Sequence, residues 1–142
     1  LIKIINNDLD CLELGNINAK RDWGYAKEYV ELMWAMLQKK KAEDFVVATG
    51  KHYSIKEFIQ ECLKILNIKA KWVGKGLNTK LVRSNDKKTI VRINPKYFRP
   101  SEVNLLHGDA SKAKNILRWK PKTSLKELVK IMIDQEIKFY SK

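Results

Sequence analysis

The sequence predicts a small α+β lobe. Some segments carry apolar residues at helical spacing and others alternate apolar with polar, but the two kinds are mixed without the regular strand–helix–strand succession of a parallel sheet. Two Ser-x-x-Glu boxes mark helix starts. At 142 residues, 44% of them apolar, the chain is one domain with enough nonpolar side chain for a core.

Residues 1–7 include Leu1, Ile2, Ile4 and Ile5 with no capping residue before them. They read as the end of a helix, expected to fray or to lie against a neighbouring chain. Residues 10–14 read as a short strand stopped by Gly15 and Asn16. Asp22 can cap a helix of roughly fifteen residues with the stripe Ala26, Val30, Met33 and Leu37. Residues 45–48 are a β-rich run ended by Thr49 and Gly50. Ser54 and Glu57 box the start of a helix to Leu66, with Ile55, Phe58, Ile59, Cys62, Leu63 and Leu66 inward. Ala70–Val73 and Thr89–Ile93 read as strands, separated by a loop rich in Gly, Lys and Asn, and Asn94-Pro95 ends the second. Asp109 can cap a short helix over Ser111–Leu117, which stops before Pro121. Ser124 and Glu127 open the last helix, with Leu125, Leu128, Val129 and Met132 on one face.

The net charge is +13, from 29 Lys and Arg against 16 Asp and Glu. Only five of the basic residues are Arg (21, 83, 92, 99 and 118), and the Lys are spread through every element. A nucleic-acid footprint would be clustered and richer in Arg, so a general attraction for anions is expected and no specific nucleic acid. Cys11 and Cys62 form no CxxC and have only His52 and His107 beside them. That argues against a zinc site and for a reducing, cytoplasmic compartment. No apolar run reaches the ~20 residues of a membrane span. Residues 1–5 lack the basic start and cleavage site of a signal peptide. No Gly-x-Gly-x-x-Gly follows a strand, and no Tyr has a Lys four positions on. The recognisable parts of a hydride-transfer enzyme are therefore missing from this stretch.

Four segments, in order, carry a resemblance. The first is Leu14-Gly15-Asn16-Ile17-Asn18-Ala19-Lys20-Arg21-Asp22-Trp23-Gly24, and the second is Asp44-Phe45-Val46-Val47-Ala48-Thr49-Gly50 before the Ser54 cap. The third is Tyr97-Phe98-Arg99-Pro100-Ser101-Glu102-Val103, and the last runs from Gly108-Asp109-Ala110-Ser111 to Trp119-Lys120-Pro121. Arg-Asp-Trp alone is common among nucleotide-sugar enzymes, whereas the full first string and Phe-Arg-Pro-x-Glu-Val are narrower. Together they resemble the GDP-mannose 4,6-dehydratases of the extended short-chain dehydrogenase/reductase family, over the whole chain but only the C-terminal part of the family's length. Three positions depart from the pattern. Tyr25 stands where the family usually has His, Glu28 where it has Asp, and Arg118 where a small or polar residue precedes Trp-Lys-Pro.

The resemblance implies that residues 1–142 are a C-terminal substrate-binding lobe, truncated at its N-terminus, which closes over the nucleotide end of GDP-mannose. A missing N-terminal Rossmann lobe would hold NADP and the catalytic groups. The whole enzyme would be a cytoplasmic, homo-oligomeric lyase that makes GDP-4-keto-6-deoxymannose, a precursor of fucose. No catalytic, cofactor-binding or metal residue is then expected here, and the fragment alone should be inactive. Arg21 and Arg99 are the implied diphosphate contacts, a role suited to a charged fork of donors; the alternative for Arg21 is an ion pair with Asp22 or Glu28. Glu102 would accept from a ribose hydroxyl, orient Arg99 or pair locally. Asn16 would contact the nucleotide or serve the turn after Gly15. Trp23 and Trp119 read as packing anchors, and Asp109 and Ser54 as caps. The rival readings are another nucleotide-sugar dehydratase or epimerase, a basic nucleic-acid-binding protein, and an interaction module that outlived its catalytic lobe.

The charge predicts weak, sequence-independent nucleic-acid binding. Anisotropy with unrelated duplexes should show it lost between ~50 and ~200 mM salt, whatever the sequence.

Overall fold

The computed structural model describes residues 1–99, 101, 103, 105 and 107–140. In chain order its elements are α1 (Ile2–Ile5), β1 (Leu12–Leu14), β2 (Lys20–Asp22), α2 (Ala26–Leu37), β3 (His52–Ser54) and α3 (Ile55–Ile65). They continue with β4 (Ala70–Val73), β5 (Lys80–Arg83), β6 (Thr89–Ile93), α4 (Ser111–Leu117) and α5 (Leu125–Tyr140). One sheet has the order β1-β6-β5-β4, with β1 parallel to β6 and the other pairs antiparallel. β2 and β3 form a separate antiparallel ribbon. Helices and strands are mixed as the α+β reading requires.

The core lies in three clusters. Ile4, Ile59, Leu63, Leu81, Ile90 and Val91 bury themselves between α1, α3 and the sheet. Leu32, Ala113 and Trp119 join α2 to α4. Leu125, Val129 and Ile133 of α5 pack with Trp23, Phe58, Cys62 and Leu66. The inward face predicted for α3 is found as drawn, and its capping box is complete. Burial pushes the Cys62 thiol up to about 11, as befits a small packed side chain.

Several sequence readings are corrected by tertiary contacts. Residues 1–7 do not fray: α1 makes one turn, with no side-chain cap, and Ile4 is 2% exposed in the first core. Lys80–Arg83, read as loop because of its polar surroundings, is the strand β5, whose Leu81 is fully buried between β4 and β6. Asp22 opens no helix. It ends β2, whose ladder with β3 holds the backbone extended, and α2 begins only after the extended Tyr25. The stripe Ala26, Val30, Met33 and Leu37 faces outward, and α2 buries Leu32 instead, with Tyr29 and Met36 half-buried. Both faces of α2 are apolar, so spacing alone could not choose between them. Residues 45–48 belong to no ladder among the described residues. In α5 the buried partner of Val129 is Ile133, while Met132 is exposed.

The Ser54 box supports a stability prediction. Ser54→Ala removes the acceptor for the Glu57 amide and should cost about 1 kcal/mol in urea unfolding. The Ser54 amide and hydroxyl, donating to the Glu57 carboxylate, hold that group below its ordinary pKa. A depressed carboxyl stabilises the fold fully above its unfolded pKa and loses that contribution as the pH falls through the folded value. The difference between Glu57→Gln and the parent chain should therefore shrink below about pH 4.3.

Candidate functional site

The β2–β3 ribbon pairs Arg21 with Tyr53 and Asp22 with His52. Alternation along β2 then sends its side chains to opposite faces. Arg21 reaches the segment after β6: its Nη1 donates to the Val103 carbonyl at 3.0 Å and to the Lys20 carbonyl at 2.7 Å. The Asp22 carboxylate turns the other way, accepting from the amides of Thr49 at 2.8 Å and Gly50 at 2.9 Å. Neither Asp22 nor Glu28 is needed to explain where the Arg21 guanidinium sits.

Gly15 brings the same segment in from another side. A side chain there would collide with the Tyr97 carbonyl, so only glycine lets residues 15–16 lie against residues 97–98. The approach is pinned by the Asn94 amide, which donates to Leu14 O at 2.8 Å, and by Asn94 Nδ2, which donates to Glu13 at 2.7 Å. Asn94 and then Arg92 hold the Glu13 carboxyl below its usual range. Asn16 makes a local Asx turn, its Oδ1 accepting from the Asn18 amide at 3.0 Å. Arg99 is exposed and makes no hydrogen bond or ion pair among the described residues. Glu102 lies outside the described residues. Arg99 is four residues from Val103, a stretch of chain that spans at most ~14 Å.

The other singled-out residues are structural. Trp23 donates to Tyr53 O at 2.9 Å and its ring meets Phe58 at 4.6 Å. Trp119 is buried and donates to Glu28 O at 3.0 Å. The Glu28 carboxylate accepts from the Thr123 amide and hydroxyl and the Lys122 amide, so it clasps the loop before α5. Asp109 is not the cap expected of it: Ala110 holds that position without a side-chain cap bond, and Asp109, two residues before the helix start, accepts from the Ser111 amide in a local turn. Missed in the sequence is the pairing of His52 and His107, whose rings lie 5.1 Å apart with His52 Nε2 buried and unpartnered among the described residues. His107 lines a cavity of about 320 Å³ with Thr49, Gly50, Asp109 and Trp119. No spacing signal could find a pair 55 residues apart.

These residues do not fit a dinucleotide. At the β3-to-α3 junction, where a phosphate would need open amides and a glycine-rich turn, the Glu57 carboxylate already occupies the helix start.

The model of the family described as GDP-mannose 4,6 dehydratase matches residues 1–132. This chain belongs to the GDP-mannose 4,6-dehydratase family. The relative named GDP-mannose 4,6 dehydratase from Drosophila melanogaster is 46% identical over 140 residues, 99% of this chain but 35% of its own length. That from Dictyostelium discoideum is 48% identical over 130 residues, 92% of this chain and 36% of its own. The chain thus spans about a third of the curated GDP-mannose 4,6-dehydratases it matches. A UDP-glucose 4-epimerase from Thermotoga maritima, solved with UDP-glucose, shares the fold with a TM-score of 0.67 at 21% identity, over 92% of this chain and 36% of that one. Among the described residues no helix is long and apolar enough to cross a membrane.

The Glu28 clasp is testable. Glu28→Ala strands two backbone amides and a hydroxyl of the 122–123 loop and should cost about 1–3 kcal/mol in thermal or urea unfolding. Glu28→Asp, the shorter family residue, should restore part of it.

Proposed function

We propose that this chain is the substrate-holding part of a GDP-mannose 4,6-dehydratase, and that Arg21 and Arg99 grip the diphosphate of GDP-mannose. The observation that carries this reading is the hydrogen bond from Arg21 to Val103, which ties the β2 guanidinium to the segment bearing Arg99 although 78 residues separate the two arginines. Local structure does not require that meeting. Two exposed or half-exposed guanidinium groups within one short span suit a dianionic bridge, since each presents a planar pair of donors. Val103 O takes one Arg21 donor and sets the direction of the rest of the fork. Asn16 and Glu102 are placed by the same reading at the nucleoside side, Glu102 as the acceptor for a ribose hydroxyl.

In the complete enzyme this lobe holds the nucleotide and orients the sugar, while dehydration of the sugar through NADP belongs to the polypeptide outside this chain. The chain's cationic surface raises the local concentration of an anionic sugar nucleotide before the grip forms.

Calorimetry with GDP, on the chain completed with the remaining family sequence, checks the assignment. Arg21→Ala and Arg99→Ala should each weaken binding roughly ten- to a hundredfold, since a charged hydrogen bond is worth ~1.5–3 kcal/mol. Arg→Lys should recover only part of that. Equal affinity in parent and Ala variants removes the assignment. The chain alone, given GDP-mannose and NADP, should form no 4-keto product.

A further inference from the structure

The hairpin of β4 and β5 has one face in the core and one in water. Ala70 and Trp72 of β4 pack against the first core, and Leu81 of β5 is fully buried there. Side chains alternate along a strand, so Lys71 and Val73 point away from that core, and the register sets Val82 and Lys80 beside them. Lys71, Val73 and Lys80 are exposed, Val73 to 40%. The loop between the strands, residues 74–79, repeats the mixture. Gly74 is left-handed (φ 82°), and a side chain there would strike the Asn78 carbonyl, so the loop closes tightly on itself. A single 3-10 turn, Gly76–Asn78, follows, in which the Asn78 amide donates to Lys75 O and the Thr79 amide to Gly76 O, both at 3.1 Å. That turn holds Leu77 47% exposed, two residues from the exposed Lys75.

Charge is one-sided at this tip. Residues 70–80 hold three lysines and no acidic residue. The ammonium groups of Lys71, Lys75 and Lys80 make no hydrogen bond or ion pair among the described residues. Elsewhere around the same sheet the cations are matched: Arg83 to Asp86, Lys88 to Asp10 and Arg92 to Glu13. Unmatched lysines with aliphatic side chains between them suit one kind of partner. A protein interface favours Arg and aromatic residues and is poor in Lys. A nucleic acid strand is gripped by aromatic platforms and Arg, whereas the one aromatic residue of this stretch, Trp72, is turned into the core. An anionic lipid surface takes diffuse lysine charge and accepts aliphatic side chains at its headgroup boundary.

We propose that the tip of the β4–β5 hairpin attaches this protein to the surface of an anionic phospholipid membrane, with Leu77 and Val73 at the headgroup boundary and Lys71, Lys75 and Lys80 on the lipid phosphates. Such an attachment lies on the bilayer and needs no spanning helix. The lysine stems run along the apolar boundary while their ammonium groups reach the phosphates. Charge complementarity selects the lipid, and the closed loop presents Leu77 without a folding step on contact. The attachment uses no residue of the diphosphate grip and stands independently of it.

Vesicle sedimentation tests this. The chain should pellet with phosphatidylcholine vesicles containing about a third phosphatidylserine, and stay in solution with phosphatidylcholine alone. Lys71→Gln, Lys75→Gln and Lys80→Gln should each lower the partition coefficient roughly fivefold, and Leu77→Ser about tenfold. Lys126→Gln, at an exposed position of α5 outside the hairpin, should change it by about twofold or less, since distant charges are screened. The same pattern should hold for the chain completed with the remaining family sequence. No pelleting with either vesicle, equal weakening by Lys126→Gln, full binding by Leu77→Ser, or loss of binding in the completed chain would overturn the proposal. So would a DNA duplex that displaces the vesicles and binds the parent and Leu77→Ser alike, since the occupant would then be a nucleic acid.

Discussion

The antiparallel ribbon of β2 and β3 is the constraint on which the rest of the molecule turns. It joins residues 30 to 34 positions apart in three consecutive register pairs. From that ladder Arg21 is delivered to Val103, the Asp22 carboxylate to the Thr49 and Gly50 amides, and Trp23 to the Tyr53 carbonyl. Ser54, the last ladder residue, is also the cap of α3. The Lys56 amide donates back to Ile17 O and closes the junction. A single short pairing therefore sets the origin of one helix and the direction of the candidate anion site.

Around the ribbon, no cluster is large enough to organise the lobe by itself. Three small cores are supplemented by polar clasps, one running from the second core to the loop that leads into the third and two bracing the second from within. Glu28 holds the loop leading to α5, Trp119 donates to the Glu28 carbonyl, and the Lys112 ammonium donates to Asp44 O above the Phe45 ring. Each clasp uses a backbone partner, and backbone partners are fixed in position once the neighbouring element has formed. Most exposed ion pairs, such as Lys130 with Asp134, add little by comparison.

The fold itself is shared with enzymes acting on other sugar nucleotides, and a shared fold does not select a substrate. The proposed grip rests on a few polar residues set on that frame. Five arginines stand in a sequence that otherwise uses Lys. Arg83 and Arg92 are committed to Asp86 and Glu13, and Arg118 occupies a left-handed helix end. The two proposed for the diphosphate are those of the Arg-Asp-Trp and Phe-Arg-Pro strings.

Local chemistry determined what the sequence could announce. Both capping boxes follow from contacts within a few residues, while the inward face of α3 and the strands Ala70–Val73 and Thr89–Ile93 show in local apolar spacing and composition, and each was legible. So were the family strings, because they are contiguous. Tertiary structure alone decided the rest. It recruited Lys80–Arg83 as a strand by placing it between two others, and it took Asp22 into a ladder instead of a cap. It chose Leu32 over the Met33 stripe, since α2 is apolar on both sides and burial depends on which neighbours are present. Among the described residues it also left 45–48 without a ladder: β propensity resides in the sequence, whereas a strand exists only where another backbone lies beside it.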